Sequence, residues 1–247
     1  MSEEENKIEA EAHGQASFTA SASISYVSGF PKKQLEFAKI ARDRAGEIEA
    51  LYDNKPDRIS HNKKVIYQES VVSAVINSIA FLKGQKKRIK IQLSDEELNI
   101  PNKNSVKNAN LRGGDVENIF DDIIKKSKQT SEDQLNGTKP YTEIKTIRHF
   151  RNDLEHFYPF KRPASEKYTA EDHDEEYQFR GFRHNTEEEL EKLNFSESPF
   201  DGDSSYPFNW LSYEMAERSV RMSFNLWRSF ARKLGKEDEF LKGVPRP

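Results

Sequence analysis

Residues 63–84 read KKVIYQESVVSAVINSIAFLKG, and this stretch decides the fold class. Val65, Val72, Ile76 and Ile79 follow one another by seven, four and three residues, the spacing of a single helix face. Val71, Val75 and Leu82 widen that stripe until most of the circumference is apolar. Such width predicts a central helix buried on two sides rather than a surface helix with one wet face. Glu69, Ser73 and Asn77 recur every fourth residue as a narrow polar line, read as the solvent edge of the same helix. Gly84 is expected to stop it, because glycine readily takes the left-handed conformation that ends helices.

Helical patterns continue on either side. Upstream, PKKQLEFAKIARDRAGEIEALYD begins at Pro31, a residue tolerated in a first turn because its missing N–H would have no partner there. Phe37, Ile40, Ala41, Arg44, Ile48 and Leu51 share one face, and Asn54-Lys55-Pro56 ends the run. Downstream, residues 84–114 read as a basic connection with a short hairpin or helix around RIKIQLSDEELNI, where Ser94 and Glu97 match a capping box. Asp115 is placed to cap VENIFDDIIKKS, with Val116, Ile119, Phe120 and Ile123 inward. A further helix is predicted from Tyr141 to Tyr158, limited by Pro159, with Ile144, Ile147, Phe150, Leu154 and Phe157 on its buried face. Residues 161–208 read as a polar, acidic insertion with a short helix at TEEELEKL. The last helix, NWLSYEMAERSVRMSFNLWRSFARKLG, is expected to be capped by Asn209 and stopped by Gly235. Tyr213, Ala216, Val220, Phe224, Trp227, Ala231 and Leu234 give it a long rhythm, and Trp210 and Trp227 read as core. The expected architecture is an all-α bundle of four main helices plus a short one, spanning 31–247, behind an acidic and then Ser/Ala-rich tail at 1–30 that is disordered or irregular.

Composition narrows the chemistry. Hydrophobic residues make up 34% and charged residues 33%, so the core is modest and the polar excursions are large. The net charge of −3 gives no global attraction to nucleic acid, but the charge is uneven. Residues 83–112 carry eight Lys/Arg against three Asp/Glu, whereas 161–208 carry six against thirteen. The first block could face a polyanion and the second could not. The absence of cysteine rules out disulfides, thiolate metal sites and cysteine nucleophiles. MSEEENKIEAEA lacks the apolar core of a signal peptide, and the run Val71–Leu82 is too short to span a bilayer, so a cytoplasmic protein with no membrane partner is expected. No glycine-rich loop follows a strand, so neither a dinucleotide fingerprint nor a P-loop is present.

The chemistry concentrates in IRHFRNDLEHFYPF, residues 147–160. Arg151, Asn152, Asp153, Glu155 and His156 crowd the end of an otherwise ordinary amphipathic helix. Histidine can move protons near neutral pH, and arginine offers a planar, permanently charged fork that suits phosphate oxygens. On an undistorted helix, Arg151 and His156 stand about 140° apart, whereas Asn152 and His156 share a face. Arg151 and His156 therefore meet only if the last turn unwinds or if two subunits bring them together across an interface. The alternative role for Arg151 is a structural pair with Glu155.

The order Arg151-Asn152-x3-His156-x-Tyr158 resembles the Arg-x4–6-His motif of the HEPN superfamily, and its Arg-x4-His-x-Tyr extension resembles the toxin branch. The resemblance covers the motif and the helical plan; the acidic 161–208 segment has no counterpart in the minimal domain. It implies a metal-independent endoribonuclease in toxin–antitoxin or antiviral defence, working as a homodimer on an RNA substrate, with no cofactor. Cleavage by the 2′-OH would leave a 2′,3′-cyclic phosphate and a 5′-OH. Arg151 and His156 take the catalytic roles in this reading, with Asn152 binding phosphate or orienting His156. The toxin branch further implies a nucleotidyltransferase antitoxin that transfers AMP to Tyr158. Asp153 and Glu69 are auxiliary candidates, while Arg148 and His149 extend the phosphate surface or, more simply, are solvated. His173 and His184 match no common metal spacing, so no metal is expected. The rival reading is a catalytically silent HEPN module that binds RNA or nucleotide, or serves as a dimerising scaffold.

Overall fold

The computed structural model describes residues 30–54, 60–94, 98–107, 114–128, 134–157, 185–200 and 206–247. The N-terminal tail, Tyr158, His173, His184 and most of the acidic insertion lie outside these residues. Among the described residues there are eight α-helices, one 3-10 turn and no strand, which makes the chain all-α.

Helices α1 (Phe30–Asn54) and α2 (His61–Ser94) form an antiparallel hairpin. Pro31 near the start of α1 meets Gly84 late in α2, while Glu49 near its end accepts a hydrogen bond from the Tyr67 hydroxyl early in α2. The face of α1 turned to the bundle is Leu35, Ala38, Ala41, Ala45 and Ile48. Three alanines on that line keep the contact close. The expected face was one step round: Phe37, Ile40 and Leu51 are 50%, 60% and 51% exposed, and Arg44 is exposed too.

Gly84 does not end α2. A Cβ built there would lie 2.7 Å from Pro31 Cγ, so this glycine lets α1 approach rather than stopping a helix. Ile89 and Leu93 carry the buried stripe of Leu82 about three turns further. About a third of the expected basic connection thus belongs to α2, whose last residue is Ser94, and Glu97 of the expected capping box lies outside the described residues. One window of α2 is apolar enough to cross a membrane by composition, yet 56% of it is buried inside the protein, as a bundle's central helix requires.

The short α3 (Lys103–Lys107), which the sequence pattern did not predict, buries Val106 against α4 (Val116–Lys128). Val116, Ile119, Phe120 and Ile123 of α4 point inward as expected, and the Ile119 amide donates to the Asp115 carbonyl at its start. The Asp121 carboxylate then receives the backbone N–H groups of Leu135 at 2.6 Å and Asn136 at 3.3 Å, fixing the entry to α5 (Lys139–Phe157). The predicted helix at TEEELEKL is α6 (Thr186–Lys192).

After a 3-10 turn at Phe208–Trp210, α7 (Tyr213–Lys233) packs against α1, α2, α4 and α5. Its cap is Ser212, whose hydroxyl accepts from the Met215 amide at 3.2 Å, and not Asn209, which lies within the 3-10 turn. Its stop is Gly235 at φ +68, with the paired Lys236 N–H to Ala231 and Gly235 N–H to Arg232 bonds of a Schellman motif. The following α8 (Glu237–Leu241), also unpredicted, seals the core end by stacking Phe240 on Trp227, centroids 5.2 Å apart. Trp210 and Trp227 are buried as expected.

Candidate active site

α5 was expected to bury one face and leave the rest to solvent. It buries far more. Ile144, Ile147, Phe150 and Leu154 do form the apolar line, but Glu143, Thr146, Arg148, His149 and Asp153 are also buried. The helix is therefore embedded, and each buried polar group needs a partner.

Arg148 and His149 belong to one such network, which corrects the expectation that they are solvated. The Arg148 guanidinium donates from Nε at 3.0 Å and from Nη2 at 2.9 Å to Oε1 of Glu117. It also stands 2.9 Å from Asp115. The same Nη2 reaches His149 Nε2 at 3.1 Å. Arginine only donates, so Nε2 is the acceptor and the proton sits on Nδ1, which points at Glu189 Oε2 3.2 Å away. Thr146 donates to that Glu189 oxygen as well, locking α6 onto α5. A second buried pair, Arg218 with Glu143 at 2.8 Å, ties α7 to α5. Both networks hold the helix that carries the motif.

Arg151 behaves differently. Its side chain is 17% exposed and pairs with Glu155, one turn on and 44% exposed. Nη1 also donates to Asn152 Oδ1 at 3.2 Å. Nε is buried and has no hydrogen-bond partner among the described residues. Burial pulls the guanidinium below the usual arginine range, and the Glu155 charge opposes that pull. The group stays charged but under-solvated, the state in which a further anionic acceptor gains most.

The other candidates separate. Asn152 is half-buried beside Arg151. Asp153 turns inward and accepts a 2.6 Å hydrogen bond from the Tyr206 hydroxyl. Burial, and then that carboxylate, push the Tyr206 phenol far above its ordinary range. Glu69 is exposed on α2, fourteen residues and so about 21 Å of helix before Lys83. Lys83 lies within the field of Arg151, so Glu69, three to four turns back along α2, sits well away from the arginine. Ser73 and Asn77 bond one another on the same helix. The backbone of His156 is helical and α5 continues to Phe157, so the last turn is not unwound at the motif. The separation of about 140° between Arg151 and His156 therefore stands. The side chain of His156 and all of Tyr158 lie outside the described residues.

Lys83, which the motif does not include, stands beside Arg151. Lys83 lies just before Gly84 on α2, and the continuation of the helix adds Lys86 one turn on, beside Asp115 and Glu117. The signal was their helical spacing, hidden once Gly84 was read as a stop. Among the described residues no group of three or more His, Asp or Glu side chains is arranged to hold a metal ion.

No protein-family model, curated protein or solved structure matches this chain.

Proposed function

We propose that this chain is a HEPN-type endoribonuclease that needs no metal, and that its site is Arg151, Asn152 and His156 at the end of α5. The observation that carries this reading is Arg151: a half-buried cation with a buried Nε lacking an acceptor among the described residues, set in the motif order that ends at Tyr158. A phosphate oxygen would take that donor and displace Glu155.

In the proposed reaction, His156 removes the 2′-OH proton and the 2′-oxygen attacks phosphorus. The P–O5′ bond breaks as a proton reaches the leaving oxygen, giving a 2′,3′-cyclic phosphate and a 5′-OH. Arg151 stabilises the charge that builds on the phosphate oxygens. Because α5 stays helical through the motif, the reading favours a homodimer in which Arg151 works with the partner's His156. The imidazolium so formed on that His156 gives its proton to the 5′-oxygen, which balances the step with one histidine per site. Modification of Tyr158 with AMP by a nucleotidyltransferase antitoxin, and a role in cytoplasmic defence, extend the proposal. The test is incubation with RNA in EDTA beside Arg151→Ala and His156→Ala proteins: wild type degrades the RNA and both variants do not.

One observation favours the silent module instead. Glu155 already neutralises Arg151. RNA binding without cleavage by the wild-type protein would select that reading.

A further inference from the structure

The helical run past Gly84 places Lys83, Lys86, Lys87 and Lys90 at i, i+3, i+4 and i+7, one stripe on α2 about 10 Å long. All four are exposed or half-exposed. α2 packs on α5, and the Lys86 ammonium donates to the Gly114 carbonyl at 3.3 Å, so the stripe borders the loop into α4 as well. Like charges at these spacings oppose one another on a helix, by roughly 0.2–0.5 kcal/mol per pair. Among the described residues, the carboxylates facing Lys83 and Lys86 do not cancel the stripe. Glu155 faces Lys83 and is engaged by Arg151; Asp115 and Glu117 face Lys86 and are engaged by Arg148. Among the described residues, Lys83, Lys86 and Lys90 with Arg148 and Arg151 thus stand against three carboxylates. On the neighbouring side Arg88 adds its field to that of Lys32 and Lys242. Burial, then the charge of Arg151, lowers the Lys83 ammonium below its ordinary range; burial, then Lys90, does so for Lys86. Lys83 thus lies in the field of the motif arginine, and the stripe runs on from it along α2.

We propose that the Lys83–Lys86–Lys87–Lys90 stripe is a nucleic-acid backbone site, which holds the phosphates of a single-stranded RNA leading away from the one at Arg151. The inference rests on the reading of Arg151 as a phosphate ligand and names the surface that delivers the RNA to it. Charge complementarity favours a polyanion, and the regular lysine spacing over two turns suits a repeating phosphate chain. Ammonium groups read charge and not sequence, so the stripe binds without base preference.

The test uses the full chain carrying His156→Ala, a fluorescent unstructured RNA of 20 nucleotides, EDTA, and anisotropy titrations from 50 to 200 mM salt. The stripe contributes about 0.7 to the slope of log affinity against log salt for each phosphate neutralised. Replacing all four lysines by glutamine therefore lowers the slope by up to about 3 and weakens binding at least tenfold, with an unchanged circular dichroism spectrum. Should that variant fold poorly, Lys87→Gln/Lys90→Gln, which leaves Lys83 and Lys86 in place, lowers the slope by about 1.4. A DNA of the same sequence binds with a similar slope. Folded variants with wild-type affinity and slope overturn the proposal, as does absence of RNA binding at 50 mM salt. Competition by polyglutamate as effective as RNA of equal charge would assign the stripe to acidic proteins and overturn the nucleic-acid site. Cleavage is scored separately on protein with native His156. Stripe-dependent binding with no cleavage removes the enzyme reading alone, whereas cleavage with stripe-independent binding removes the stripe alone.

Discussion

Arg148 donates from Nη2 to Nε2 of His149, its neighbour in the chain, at 3.1 Å. Adjacent residues on a helix diverge by about 100°, so this contact exists because Arg148 is drawn to the buried Glu117 of α4 and His149 to Glu189 of α6. Arg148→Met leaves Glu117 buried without its cation and costs about 3–5 kcal/mol in urea denaturation. The double variant Arg148→Met/Glu117→Leu recovers most of that loss. An Arg148→Met protein as stable as wild type would show that the network does not hold α5.

Glu155 is the lid on Arg151. Glu155→Gln removes a partly exposed i,i+4 pair and changes stability by no more than about 0.5 kcal/mol. It tightens RNA binding several-fold, because the guanidinium no longer exchanges one anion for another. Equal or weaker binding by a folded Glu155→Gln protein would place the RNA elsewhere.

Tyr206 gives the protein a pH signature. Its phenol is raised above the ordinary value by burial and by Asp153, so the folded state holds that proton more tightly than the unfolded chain. The resulting stability is complete below the unfolded pKa of about 10 and is lost as pH rises above it. Tyr206→Phe costs about 1–3 kcal/mol at neutral pH by leaving buried Asp153 short of a donor, and its stability falls less steeply above pH 10 than that of wild type. Parallel pH profiles for the two proteins would contradict this.

Gly84 is a packing residue. Gly84→Ala improves intrinsic helix propensity by about 1 kcal/mol, yet it forces a Cβ to within 2.7 Å of the Pro31 ring. Gly84→Val loses more stability than Gly84→Ala, and Pro31→Gly relieves the difference, as read from thermal melts. A stabilising Gly84→Val would show that α1 does not approach α2 there.

Helix existence was plain in the sequence because apolar spacing repeats over many turns, as in Ile144–Ile147–Phe150–Leu154 and Val220–Phe224–Trp227. The choice of face was not plain on α1, where two adjacent faces are apolar and the small residues Ala38, Ala41 and Ala45 won the core by allowing close approach. Gly84 misled because the same residue both ends helices and lets them touch, although Leu82–Ile89–Leu93 continue the period beyond it. The burial of Arg148 and His149 was hidden for another reason: their carboxylate partners are 31 and 40 residues away in the chain. The motif was legible as residue types in order, and the structure adds that Arg151 is desolvated, paired with Glu155 and bordered by Lys83 of α2.

If Arg151 meets the partner's His156, subunits can complement one another. A mixture of Arg151→Ala and His156→Ala chains regains one of two sites per mixed dimer and recovers cleavage up to about a quarter of wild type if chains exchange at random. No recovery would place both groups of each site in one chain.

The most direct test of the central claim is the chemistry of the ends left on RNA cut in EDTA. The account predicts 2′,3′-cyclic phosphate and 5′-OH ends with the wild-type chain, and their loss with Arg151→Ala and with His156→Ala. Absence of cleavage across varied RNAs, or identical ends produced at the same rate by both variants, would contradict it.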